Sequence, residues 1–147
     1  MNTIWRAVSG AALLVFFLAG CTFVYAPSEP SIVVQQENSG LRFVVCGDIE
    51  DAEVVVDTRD LSKAAEWVTV WDEDSVSISP ETVFSVPQTD AAEFLSPGSQ
   101  LRIVVSTPAP EGRAPLAKAQ FYVLSQGLPD QAWQAVDGSE QLDACQG

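Results

Sequence analysis

The sequence predicts a mainly β protein built as a small antiparallel sandwich. About eight short segments are rich in Val, Ile, Phe, Trp and Thr, and several of them alternate apolar with polar residues at a period of two. Turn residues separate these segments at the spacing that is typical of a sandwich. Helical patterns are scarce, so the architecture must be assembled from strands.

The predicted strands follow one another from residue 31 to residue 125. The segment at 41–46 shows the pattern most clearly, because Leu41, Phe43 and Val45 alternate with the residues between them. Residues 38–40 form a turn signal, and the polar run at 72–75 is expected to end one strand before the next begins. In chain order the strands are Ser31 to Gln36, Leu41 to Cys46, Glu53 to Asp57, Glu66 to Trp71, Val76 to Ser79, Thr82 to Val86, Leu101 to Thr107 and Ala117 to Ser125.

Three short segments favour helix. Leu61 to Glu66 and Asp90 to Leu95 are each long enough for about one turn. Pro129 to Val136 is predicted as a short C-terminal helix, because proline suits the first position of a helix. In that helix, Trp133 and Val136 would pack against the sheet.

One segment carries more specific information about the fold. Residues 95–105, LSPGSQLRIVV, resemble the corner that leads into the F strand of fibronectin type III and related immunoglobulin-like domains. The family has an aromatic residue, usually Tyr, where this chain has Leu101, and so the hydrogen bond of that corner is missing here. The resemblance implies an immunoglobulin-like sandwich and nothing about function.

The N-terminus has the features of an export signal. Arg6 and the amino terminus give the first residues positive charge, and Ala7 to Leu18 is an apolar stretch too short to span a membrane comfortably. It is followed by Leu18-Ala19-Gly20-Cys21, which resembles the lipobox of bacterial lipoproteins. The alternative is an uncleaved signal anchor with an incidental cysteine.

The lipobox resemblance implies how the chain is processed. The Cys21 thiol would receive a diacylglyceryl group, and signal peptidase II would cut between Gly20 and Cys21. Two acyl chains would then hold the protein on the extracytoplasmic face of the cell membrane. The chain is thereby divided into a signal peptide at 1–20, a lipidated cysteine and tether at 21–30, and a domain at 31–147.

The remaining cysteines are expected to pair. The chain has three cysteines, and lipidation of Cys21 leaves Cys46 and Cys145. A disulfide between them is expected in an oxidising compartment, and it would tie the C-terminal tail to a core strand. Two buried free thiols or a metal pair are the alternatives.

Charge excludes some partners. The net charge is -13, and removal of residues 1–20, which hold Arg6 and no acidic residue, brings it to −14. Binding to nucleic acid is not expected, because neutralising phosphates requires clustered Lys and Arg. Attraction to anionic lipid is disfavoured for the same reason.

The sequence offers no catalytic constellation. The chain has no histidine, and neither Lys63 nor Lys118 follows a Ser at the spacing of a Ser-x-x-Lys nucleophile. Acidic residues cluster at 48–53 and 72–74, but without the spacing of a Ca²⁺-binding EF-hand loop. We therefore expect a protein that is not an enzyme and has no cofactor or metal, with Ca²⁺ at these loops as the alternative.

Trp67 and Trp71 are the candidate ligand residues. On one regular strand, residues four positions apart share a face, and two indoles there could stack on the sugar rings of an envelope glycan. The alternative is that both belong to the core. The function expected from the sequence is a lipid-anchored, non-catalytic binding or structural module. Its rivals are an envelope glycan-binding lipoprotein and an accessory subunit of a membrane protein complex.

Overall fold

The computed structural model describes residues 29–38, 40–63, 66–87, 95–123 and 127–145. The predicted signal peptide with Gly20, the predicted lipid-bearing Cys21 and the predicted tether up to residue 28 lie outside these residues, as does most of the helical turn predicted at 90–95. The turn predicted at 61–66 begins as a single 3-10 turn at Leu61–Lys63.

The described residues form nine strands and almost no helix. The strands make two antiparallel sheets, with the orders β5-β2-β1-β8-β9 and β4-β3-β6-β7. This confirms the prediction of a mainly β, sandwich-like protein. The strands are β1 (Ser31–Glu37), β2 (Gly40–Cys46), β3 (Ile49–Asp60), β4 (Val68–Ile78), β5 (Val83–Val86), β6 (Ser99–Ala109), β7 (Gly112–Tyr122), β8 (Trp133–Gln134) and β9 (Glu140–Gln141).

The core lies between the two sheets and follows from the alternation in the sequence. In β1 and β2, Ile32 faces Val45 and Val34 faces Phe43 across the pair, and all four side chains are buried in the core. Val54, Val56, Leu101 and Ile103 are among the residues that face them from the other sheet. Burial of one such side chain contributes about 1.5–3 kcal/mol, so these inward positions provide the main stabilisation of the fold.

The acidic run at 72–75 does not end a strand, contrary to expectation. β4 continues through it, because local irregularities absorb the polar residues while pairing with β3 persists. Ser75 has a φ of 55° and Asp51 on β3 has a φ of 50°, and both lie where the register shifts. β4 is an edge strand, and charges and bulges on an edge discourage pairing with another chain.

The prediction of a C-terminal helix at 129–136 is wrong. The segment instead runs beside β1, where the amide of Gln36 donates to the carbonyl of Pro129 at 2.9 Å and Val34 pairs with Gln134. An eight-residue helix is marginally stable in water, whereas pairing satisfies the backbone groups at the edge of β1.

β8 and β9 then form a small hairpin. At its turn, the hydroxyl and the amide of Ser139 donate to Asp137, which lowers the pKa of that carboxyl group.

The tail after β7 also crosses the outer face of the five-stranded sheet. The side-chain amide of Gln35 donates to the carbonyl of Asp130, and Arg42 lies over the ring of Trp133. Cys46 forms the expected disulfide with Cys145, with the two Cα atoms 5.4 Å apart. Between these attachments Val33 and Val44, which point outward, are both only 1% exposed. The tail therefore closes the second face of this sheet.

The sandwich has two distinct ends. At one end the chain enters through Pro30, against which Gly47 packs so closely that a Cβ on Gly47 would lie 3.2 Å from the Cβ of Pro30. β3 begins beside Gly47 and runs to Asp60 at the other end. β4 and β6 begin at that far end, and β7 ends there, because β3, β4, β6 and β7 pair antiparallel. We call it the distal end.

Candidate functional site

The two tryptophans predicted to share a face lie on opposite faces of the four-stranded sheet. Along β3, Val56 and Asp57 are adjacent, whereas their partners Trp71 and Thr69 on β4 are two residues apart. Val70 is therefore an extra residue that reverses the alternation of β4. Residues before this bulge and residues after it point to opposite sides.

Trp71 belongs to the core side. It is partly buried and packs against the hydrophobic core. Its ring meets Phe43 and Phe84 edge-on, with ring centroids 5.8 and 6.0 Å away. Phe43 and Phe84 are themselves stacked at 4.8 Å. Trp71 thus belongs to the core, as the alternative interpretation of the sequence predicts.

Trp67 lies on the outer face, close to two guanidinium groups. The guanidinium carbon of Arg102 is 4.3 Å from the centre of the indole, and that of Arg59 is 4.5 Å away. Cation–π contacts at these distances contribute about 0.5–2 kcal/mol each, depending on desolvation. The ring is therefore fixed on the sheet by its neighbours and remains partly exposed.

A hydrogen-bonded polar layer holds the first of these arginines. Arg102 donates from Nε and Nη2 to one oxygen of Asp57, at 2.8 and 2.5 Å. The hydroxyl of Thr69 donates to the other oxygen of Asp57 at 2.8 Å. Asp57 is only 4% exposed, although it lies on the outer face. Because this carboxylate is buried, it fixes the position of the Arg102 guanidinium group.

The second arginine is held by a glutamine. Arg59 donates from Nε to Gln100 Oε1 at 2.8 Å, and the amide of Gln100 donates to Gln120 Oε1 at 3.3 Å. Gln100 is 1% exposed. Among the described residues, no buried side-chain nitrogen or oxygen lacks a hydrogen-bond partner. The layer is therefore fully satisfied and rigid.

Exposed apolar side chains also occur at the distal end. Tyr122, at the end of β7, pairs with Gln100 and is 57% exposed. Val68 is 58% exposed but points to the opposite face from Trp67, because its partner Thr58 lies between the outward residues Asp57 and Arg59. Leu61, which follows β3, is 44% exposed. The indole of Trp67 and the phenol of Tyr122 thus lie at the distal end of one polar sheet face.

Basic residues are concentrated on this face. Beyond residue 20 the chain has six Lys and Arg residues, and Arg59, Arg102 and Lys118 lie on the outer face of the four-stranded sheet. Arg113, on the hairpin between β6 and β7, pairs with Glu53 at 3.0 Å. The face is therefore much less negative than the domain as a whole.

The acidic loops do not assemble a metal site in the described residues. No group of three or more Asp, Glu or Cys side chains lies close enough together there to hold a metal ion. Within the cluster at 48–53, Glu53 accepts from Ser106 and Arg113, and the carbonyl of Asp51 accepts from Arg113.

A second surface feature lies at the opposite, entry end. An open groove runs between β1, β7 and the β8–β9 turn, and it is lined by Ile32, Ala119, Ala135 and Val136 beside Pro30. Val136 is 56% exposed. Three charged residues, Glu29, Lys118 and Asp137, also line this groove, which adjoins the predicted tether.

The sequence pointed to Trp67 but missed the residues that position it. Asp57 and Arg102 are charged residues inside strands dominated by valine and isoleucine, and that was the available signal. Their pairing depends on the register between β3 and β6, in which Asp57 faces Arg102. Nothing in the sequence around Gln100 and Tyr122 indicated that they lie on the same face as Trp67.

Neither a membrane-spanning helix in the described residues nor a similar known protein indicates what this protein does. In the part of the chain that the structure describes, no helix has both the length and the apolar character needed to cross a membrane. No protein-family model matches the chain, and no curated protein is detectably similar to it in sequence.

Proposed function

We propose that this protein is a bacterial lipoprotein whose β-sandwich domain is a non-catalytic binding or structural module of the cell envelope. Residues 1–20 would be the signal peptide, and Cys21 the lipid-bearing residue on the extracytoplasmic face of the membrane. The observation that carries the proposal is the use of cysteines. Cys46 and Cys145 pair with each other, which leaves Cys21 alone behind the apolar stretch.

The topology supports a finer description of the domain as immunoglobulin-like. With β1 to β7 lettered A, B, C, C′, E, F and G, the sheets contain A-B-E and C′-C-F-G. Fibronectin type III domains also divide their strands in this way, and residues 95–98 directly precede β6, which is strand F in this lettering; both features support the resemblance. The β8–β9 hairpin, added beside β1, and Leu101 in place of an aromatic residue are departures from that family.

The tether and the charge support a domain that stands off the bilayer. Residues 22–30 span at most about 30 Å when extended. The mature chain carries a net charge of −14, which repels an anionic membrane over about a Debye length of 8 Å. The lipid is then the only significant membrane contact, and the distal end faces away from the bilayer.

Replacement of the lipid-bearing cysteine tests this proposal. Cys21→Ser should leave an unprocessed precursor, because no thiol remains to form the thioether. The wild-type protein should partition into the detergent phase of a membrane extract. The matched control is Cys46→Ser with Cys145→Ser, which removes the other two thiols and should leave lipidation intact. A soluble, cleaved wild-type protein as the main cellular species would contradict the proposal.

Each rival function has its own surface on the domain. The glycan-binding reading rests on Trp67, since Trp71 is taken up by the core. The accessory-subunit reading rests on the apolar groove beside Pro30, where a membrane-bound partner would be within reach. Loss of binding to a partner complex on Val136→Asp, with no effect of Trp67→Ala, would favour the second reading.

A further inference from the structure

We infer that the distal end of the four-stranded sheet binds a neutral glycan chain, with Trp67 as the ring on which one sugar stacks and Tyr122 as a second contact. This inference rests on the proposed function for its location, since the site must face outward from the cell membrane. The site differs from the Trp67–Trp71 pair expected from the sequence, because its second aromatic comes from β7.

The layer beneath Trp67 is more elaborate than stability requires. A buried Asp–Arg pair roughly breaks even against well-packed apolar residues of similar volume. Val or Ile at positions 57 and 102 would continue the valine-rich pattern of β3 and β6. The chain instead places Asp57 and Arg102 there, joined to Thr69. What this arrangement provides is a fixed orientation for a partly exposed indole.

The chemistry of the surface matches a sugar ring. A pyranose has an apolar face of C–H groups that stacks on an indole, and hydroxyls at its edge that need hydrogen-bonding partners. On the same sheet face, β7 offers the NH₂ group of Gln120 and the phenol of Tyr122, and the Thr69 hydroxyl, which donates to Asp57, can still accept a hydrogen bond. Adjacent strands are about 4.8 Å apart, and Trp67 before β4 and Tyr122 on β7 are three strand spacings apart, so they would contact different sugars of one chain.

Charge selects a neutral glycan over an anionic polymer. The mature domain carries a net charge of −14, which repels polyanions at a distance. The arginines at the site are already engaged, Arg102 with Asp57 and Arg59 with Gln100, and both contact Trp67. Both arginines hold the ring in place, and the carboxylate of Asp57 offsets the charge of Arg102.

The position of the site fits a ligand that lies beyond the membrane. β3 starts beside the entry point of the chain at Pro30 and runs for 12 residues toward Trp67. At about 3.3 Å per residue, a strand of this length carries the site roughly 35 Å from the tether. A lipid-anchored module would thereby present Trp67 at its outermost end.

Titration of the full-length lipoprotein in detergent micelles tests the inference. Chitotetraose serves as the neutral ligand and tetragalacturonate as the anionic one, with binding measured by calorimetry and tryptophan fluorescence. Chitotetraose should bind with a Kd of roughly 0.1–1 mM, corresponding to about 4–5.5 kcal/mol. Tetragalacturonate should bind at least about tenfold more weakly, because the acidic domain repels it.

Variants separate the ring from the fold. Trp67→Ala should weaken chitotetraose binding at least about tenfold, if a sugar stacks on the indole about as strongly as a nucleic-acid base does, on the order of 1–3 kcal/mol. Trp67→Phe, which keeps an aromatic ring, should retain binding within about fivefold. Trp133→Ala is the matched control, because Trp133 also lies over an arginine but on the other sheet, and it should leave binding unchanged.

Three results would overturn the inference. These are absence of chitotetraose binding by the wild type at 10 mM, equal binding by Trp67→Ala, and a dimer that Trp67→Ala dissociates, which would assign this face to a second copy of the chain. None of them would affect partitioning of the wild type into detergent. Failure of this inference is therefore distinguishable from failure of the lipoprotein proposal.

Discussion

Removal of the Asp57 carboxylate should destabilise the domain far more than removal of a carboxylate from an exposed ion pair. Asp57→Ala removes the acceptor of two N–H groups of Arg102 and of the Thr69 hydroxyl. The side chains of Asp57 and Arg102 are 6% and 23% exposed. Breaking a fully buried pair costs about 3–5 kcal/mol, and the residual exposure of Arg102 lets water replace part of the loss. We expect a loss of about 2–3 kcal/mol.

Urea unfolding followed by tryptophan fluorescence would measure this loss. The control is Glu53→Ala, because Glu53 pairs with Arg113 on the same face, and both side chains are about 30% exposed. Exposed pairs contribute about 0–1 kcal/mol. If Asp57→Ala lowers the free energy of unfolding no more than Glu53→Ala does, then Asp57 does not hold a desolvated network and the reasoning fails.

The double variant Asp57→Leu with Arg102→Leu separates stability from positioning. Replacing both partners with apolar side chains should leave the free energy of unfolding within about 1 kcal/mol of the wild type. It removes one of the two guanidinium groups that contact Trp67. Unchanged stability together with weakened chitotetraose binding would show that the pair serves to position the ring. Unchanged binding would show that it does not.

Three further predictions concern the rest of the domain. Cys46→Ser with Cys145→Ser opens a loop of 99 residues and should lower the free energy of unfolding by at most about 4–5 kcal/mol. Limited proteolysis of this variant should cut first within residues 128–145. A tail that stays protected from the protease would contradict the proposed role of the disulfide. Phe43→Ala removes a fully buried ring and should cost about 3–5 kcal/mol in urea unfolding, whereas exposed Tyr122→Ala should change stability by less than about 0.5 kcal/mol. A soluble variant that begins at Thr22 should stay monomeric and should not sediment with anionic vesicles at physiological salt; vesicle binding would indicate a membrane-facing patch on the domain.

The strands could be predicted because their signal is local. In β1, β2 and β6 the residues alternate between the core and the opposite face of the sheet, so hydrophobic periodicity located them to within a few residues. β4 was predicted as two pieces, because its polar middle resembles a turn. It is continuous because its pairing with β3 extends through the irregular stretch, which is a property of the partner strand.

The arrangement around Trp67 could not be predicted, because it depends on contacts between distant residues. The bulge at Val70 inverts the faces of Trp67 and Trp71, and nothing in the residues 66–71 alone indicates an extra residue. Likewise, the pairing of 129–136 with β1 became favourable only because β1 presents an edge to it. The disulfide was predictable by elimination among three cysteines, and it is confirmed.

Mass spectrometry of the intact protein, extracted from native membranes without reducing agent, tests the central claim most directly. We predict an N-terminus at Cys21 carrying a diacylglyceryl group, with Cys46 and Cys145 joined and inaccessible to alkylation. A protein that retains residues 1–20, or one that begins after Gly20 with an unmodified Cys21, would contradict it.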